Sequence, residues 1–236
     1  QCVAQVFQPA LEAAIRQALG APTGTPQWLR YEIDAVAGTP NLLFNYPSAL
    51  AQPGGYIAKQ VKLEFGALTN QQPAARQHVT ALLASTPGAA LGQAYGDLGA
   101  DVHALALERS FWEKATILHA EHHRPAELPL RDRYARHYAD FAALWQHPTR
   151  DAALARLDLL NDVVQHKSRF FASAWTNYTS AQPGTFKLVP PAFRHVALAQ
   201  DYGKMQPMFL AEPPPFEALL AQLAEAERAL NGQAAP

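Results

Sequence analysis

Three groups of residues in this chain have types and spacing that suit chemistry. The first is Arg133, Arg136, His137 and Asp140, which fall at i, i+3, i+4 and i+7 and so share one side of a helix if the stretch is helical. Cations beside a carboxylate suit phosphate handling. An arginine can grip an oxyanion bidentately, and an aspartate can orient a base, a water or a hydroxyl. The bland alternative for this group is an i, i+4 ion pair between Arg136 and Asp140 on a surface helix, worth a few tenths of a kcal/mol. The second is Lys114, whose long stem can lie on apolar surface and hold an ammonium over a cleft. The third is Glu64, in the alternating stretch QVKLEF, where a strand carboxylate facing away from the core can hold a divalent metal or stand as a solvated charge.

The elements that must position these groups follow from periodicity. Leu105–His123 reads as one amphipathic helix, with Phe111, Trp112, Ala115 and Leu118 forming an apolar stripe, Lys114 at its margin and Arg109 near the opposite side. Leu128–Pro148 reads as a second helix carrying the arginine group, with Tyr134, Tyr138, Phe141 and Leu144 on an adjoining side. Upstream, Phe7–Leu19 predicts a helix stopped at Gly20. Leu29–Val36, Leu42–Tyr46 and Ile57–Phe65 predict an antiparallel meander, with Lys62 and Glu64 opposite Val61, Leu63 and Phe65. Ala51–Gly55 and Thr86–Gly99 read as loops, Ala75–Leu83 as helical, and Val102–Leu107 as a short strand. Asp151–Tyr178 predicts one long helical stretch, followed by short helix Phe193–Asp201 and a last helix, Phe216–Asn231. The fold class expected is α/β: a partial mixed sheet in residues 1–100 followed by a helical bundle in residues 101–236.

Composition narrows the function classes. The chain has 236 residues, 49% of them apolar, enough for a sizeable core. A formal net charge of −1 excludes the wholesale basic footprint of a small DNA-binding domain but leaves room for a local basic patch. Cys2 is the single cysteine, so no internal disulfide forms, which points to the cytoplasm. No apolar run is long enough for a membrane span, and no signal segment opens the chain. His119 and His123 stand at the i, i+4 spacing of zinc ligands, but HAEHH differs from H-E-x-x-H, and core or rim histidines are the expectation. Lys167 and Arg169 in HKSRFF put cations beside aromatics, either as a stacking and phosphate surface for RNA or as an ordinary helix end.

Four ordered stretches carry a resemblance. ERSFWEKATILHAEHHR resembles the R-T-F-W-E-K…L-H segment of the AbiEii/AbiGii toxin family of nucleotidyltransferases. QVKLEFGA resembles its V-K-L-E-F-G-A strand, RHYAD its R-H-Y-Y-D, and DYGKMQPMFLAEPPP its D-Y-x-x-M…P-P segment. The similarity runs from about Leu42 to Asn231. Ala139 stands where the family has its second tyrosine, and the family's Gly-Gly-Thr and Asp-x-Asp segment has no counterpart here. Glu32 and Asp34 imitate such a pair and are read as solvated charges on a sheet face. The expectation is a chain that begins downstream of that segment, or a degenerate relative.

The resemblance implies an NTP- and Mg²⁺-dependent transferase, the toxin of a toxin–antitoxin pair, that adds nucleotides to RNA, tRNA acceptor ends above all. Glu64 would hold metal beside Lys62, Lys114 would contact the triphosphate, and Arg136, His137 and Asp140 would finish the nucleotide site. Arg109 and Arg133 would support that site or face RNA. The alternative is a non-catalytic relative that binds nucleotide, RNA or an antitoxin, and a weaker third reading is a zinc hydrolase built on the histidines.

Overall fold

The computed structural model describes all residues except 35–37, 47–57, 67, 82–83, 85–97 and 233–236. The loop expected at Ala51–Gly55 and most of that at Thr86–Gly99 lie outside the described residues. The chain divides into two compact units, Gln1–Thr69 with Lys204–Ala211, and Asn70–Gly203 with Glu212–Pro236.

In the first unit, a π-helical turn over Val3–Phe7 runs into α1 (Gln8–Leu19). The helix stops where expected: Gly20 takes φ +79°, a conformation that a side chain would strain. Glu12 ties α1 to the sheet. Its carboxylate accepts from the backbone N–H groups of Trp28 (3.1 Å) and Leu29 (2.9 Å) and from Arg16 Nε (2.8 Å). The strands β1 (Leu29–Ile33), β2 (Pro40–Phe44) and β3 (Val61–Glu64) form the predicted antiparallel meander in the order β1–β2–β3. Tyr31, Leu42 and Leu63 align across it, and this face packs with Val3, Leu11, Ile15 and Leu29. The alternation of β3 therefore holds: Leu63 turns toward the core, while Lys62 and Glu64 turn away.

In the second unit, β4 (Ala74–Thr80) pairs antiparallel with β5 (Gly99–Leu105). This corrects the helix expected over Ala75–Leu83. Spacing of small apolar residues in so short a stretch fits both periods, and cross-strand pairing with β5 decided between them. The central helix α2 spans Leu107–His122, and Phe111, Trp112, Ala115 and Leu118 are all fully buried. Phe111 meets Trp112, Phe141 and Trp145 in one aromatic cluster, and Trp112 Nε1 donates to the Ala153 carbonyl at 3.0 Å. Around α2 stand α3 (Ala135–Gln146), α4 (Thr149–Leu154) and α5 (Leu157–Phe170). The single long helix expected from Asp151 is thus two, broken where Arg156 leaves helical geometry at φ −114° and ψ 60°. Next, α6 (His195–Lys204) and α7 (Phe216–Leu230) close the chain. Glu227 of α7 accepts from the N–H groups of Leu188 (2.6 Å) and Val189 (3.0 Å), which ties the preceding loop to the last helix. The architecture is α/β, with small antiparallel sheets followed by helices. Among the described residues no helix is long and apolar enough to cross a membrane.

Candidate functional site

Lys114 lies where its place on the helical wheel puts it, at the margin of the buried face of α2, with its side chain 24% exposed. Opposite it, α3 presents His137 and Asp140. Lys114 Nζ donates to Asp140 Oδ2 at 2.5 Å and to His137 Nδ1 at 3.2 Å. An ammonium only donates, so Nδ1 is the accepting nitrogen and the neutral ring carries its proton on Nε2. Burial pushes the His137 pKa down to about 3, helped by the positive charges of Lys114, Arg136, Lys167 and Arg131. Lys114 thus sits between a carboxylate and a neutral imidazole.

This contact overturns the bland alternative for the arginine group. Asp140 pairs across helices with Lys114, not along its own helix with Arg136. Arg136 is exposed, and among the described residues no carboxylate pairs with it. Arg133 is also displaced from the expected face. The helix starts at Ala135, and Arg133 precedes it with φ +59°. The reason is Asp201, whose carboxylate accepts from the N–H of Arg133 (3.0 Å) and of Ala135 (2.7 Å), satisfying free donors at the start of α3.

Arg109 is not on an open face of α2. It is fully buried and donates to the Gln72 carbonyl (2.8 Å) and to Glu113 Oε1 (3.2 Å), so its guanidinium faces protein and not RNA. Glu113 has a second cationic partner that local spacing does not reveal. Lys167 of α5 turns inward, pairs with Glu113 Oε2 at 2.9 Å, and donates to the Glu113 carbonyl (2.8 Å) and Thr116 Oγ1 (2.9 Å). Burial lowers the Lys167 pKa, and Glu113 opposes that shift. A signal for the inward turn was present: Lys167 continues the stripe of Leu160 and Val163 at i+7 and i+4. The helix-end reading of HKSRFF holds, with α5 ending at Phe170; Lys167 turns inward, while exposed Arg169 lies over the Phe170 ring at 5.2 Å.

Lys62 and Glu64 belong to the first unit. Lys62 Nζ sits 2.6 Å from Glu64 Oε1 and 3.1 Å from Asp34 Oδ2, and these carboxylates raise its pKa, Glu64 foremost. Glu32 pairs with Arg30 at 3.0 Å. Among the described residues no group of three His, Cys, Asp or Glu side chains could hold a metal. Glu64 offers one carboxylate, already shared with an ammonium, and does not by itself fit a resident metal centre. His119 sits in the core of the second unit, with Nε2 near the Asn177 carbonyl (3.2 Å) and Ser180 Oγ (3.0 Å), and Nδ1 accepting from the Lys187 N–H (3.1 Å). Burial and the neighbouring His123 lower its pKa to about 4.

The site is therefore a lysine held by a carboxylate and a neutral imidazole, beside arginines, on packed helices, an arrangement suited to gripping phosphate. The family model described as "Nucleotidyl transferase AbiEii toxin, Type IV TA system" matches residues 4–222. The chain belongs to that family of nucleotidyltransferase toxins. Comparison with curated proteins and with solved structures gives no match.

Proposed function

We propose that this chain transfers a nucleotide from an NTP to RNA, with tRNA acceptor ends as the class of target. The observation that supports this most is the meeting of Lys114 with Asp140 and His137, which joins two sequence motifs 23 to 26 residues apart. The reaction is an in-line displacement. The acceptor hydroxyl oxygen bonds to the α-phosphorus, the bond to the pyrophosphate oxygen breaks, pyrophosphate leaves, and the hydroxyl proton passes to a base. Lys114 moves part of its charge from Asp140 to the phosphates, which frees the carboxylate to orient or accept that proton. Arg136 adds a bidentate phosphate contact, and the Nε2 proton of His137 is a further neutral donor.

Nucleotidyltransferases generally use a divalent ion, and here Mg²⁺ is proposed as part of the substrate, bound through phosphate oxygens and waters, while a metal-binding role for Glu64 is what the family resemblance implies. The role of Glu64 and Lys62 rests on the KLEFGA stretch alone. A cognate antitoxin is the proposed protein partner, and the cytoplasm the proposed compartment.

The test is transfer of label from α-phosphate-labelled NTPs to total RNA, with Lys114→Ala, Asp140→Asn and Glu64→Gln as variants. Transfer that each variant abolishes supports the assignment. NTP binding by calorimetry without any transfer would instead support the non-catalytic reading.

A further inference from the structure

The contact between Lys114 and His137 does not end at the imidazole. The ring of His137 meets that of Tyr134 edge-on, with centroids 4.8 Å apart at 70°. Over the Tyr134 ring lies the guanidinium of Arg131, 5.8 Å from the centroid. Tyr134 is 8% exposed, so its ring is a fixed support and not a mobile side chain. Arg131 itself is exposed. Among the described residues no carboxylate forms an ion pair with Arg131 or with Arg136.

These contacts make one strip: Arg131 on Tyr134, Tyr134 against His137, His137 on Lys114, with Arg136 on the same helix as His137. At its Lys114 end a carboxylate is in direct contact, and at its Arg131 end the exposed guanidinium makes no ion pair among the described residues, an acidic influence reaching it only from the buried Glu121. A guanidinium braced on an aromatic ring offers its outer plane for stacking and its edge N–H groups for phosphate. Such a surface suits an unstacked base with its phosphodiester better than a duplex, whose bases are already stacked.

We infer that Arg131, braced on Tyr134, forms the subsite for the single-stranded acceptor, distinct from the Lys114 and Arg136 contacts that take the triphosphate. The base next to the reacting end stacks on the Arg131 plane, and the edge N–H groups of Arg131 hold its phosphate. This deepens the proposed function and rests on that reading of Lys114.

The test is binding of a short fluorescent single-stranded RNA to the full chain, by anisotropy over a salt series, without NTP. Arg131→Ala should weaken binding at least about fivefold, the loss of one stacked base. It should also flatten the log–log salt slope by about 0.7, the loss of one phosphate contact to a single strand. Arg131→Lys should keep the slope and still lose affinity, because an ammonium has no plane to stack on. NTP affinity by calorimetry should not change in either variant. Unchanged RNA affinity in Arg131→Ala, full affinity in Arg131→Lys, equal binding of an RNA duplex, or a matching loss of NTP affinity would each overturn the subsite. Lys114→Ala separates the two claims. If it leaves NTP affinity intact, the reading of Lys114 fails, while the Arg131 results still decide the strand contact.

Discussion

The ammonium of Lys114 on α2 reaches the carboxylate of Asp140 on α3 at 2.5 Å, with His137 accepting from the same nitrogen. As a partly exposed ion pair it adds no more than about 1 kcal/mol to stability. Lys114→Ala should therefore leave the urea midpoint almost unchanged. Transfer should nonetheless fall about a hundredfold or more, the usual cost of removing a charge stabiliser from a reacting phosphate. Parallel unfolding and transfer assays on one preparation check both halves.

His137 and His119 should not titrate in the physiological range. Their pKa values fall from the usual 6.5 to about 3 and about 4, chiefly through burial. Between those values and 6.5 the unfolded chain binds protons that the folded chain refuses. Stability contributed by the neutral rings is thus complete above about pH 7 and is lost as pH falls through that window. Urea midpoints should decline from about pH 7 to about pH 4, and His119→Gln should make the decline shallower. A His137 ring resonance that shifts near pH 6.5 in an NMR titration would contradict the burial argument.

Lys167 should behave as a buried ion-pair partner, not a surface lysine. Removing it leaves the partly exposed Glu113 carboxylate still paired with Arg109 but strips a donor from the Glu113 carbonyl and Thr116 Oγ1, a loss of about 1–3 kcal/mol. Lys167→Ala should lower the unfolding free energy by about that amount. A double-mutant cycle with Glu113→Gln should show coupling well above that of an exposed pair.

Asp201 should matter through α3. Losing its bonds to the N–H groups of Arg133 and Ala135 should cost about 1 kcal/mol, as for other helix N-terminal acceptors. Because α3 carries His137 and Asp140, Asp201→Ala should also slow transfer at a temperature where the chain is fully folded. Asp201→Asn keeps an acceptor oxygen and should recover most of both. Equal rates in the two variants would show that the bond to α3 has no part in placing the site.

Local periodicity alone determined the stripe of Phe111, Trp112, Ala115 and Leu118, the margin position of Lys114, the Gly20 stop and the three-strand meander. Each depends on the side-chain period of one element, which neighbours in sequence carry in full. Tertiary structure decided the rest. Ala74–Thr80 became a strand because β5 was there to pair with it. Arg133 left the helical face because Asp201, far along the chain, capped α3 after it. Asp140 chose Lys114 over Arg136, and Lys167 turned inward to Glu113, because packing of α3 and α5 on α2 brought those partners within reach. A charge in a sequence has no direction. Which partner it meets, and whether water reaches it, depends on contacts between elements that no local spacing encodes.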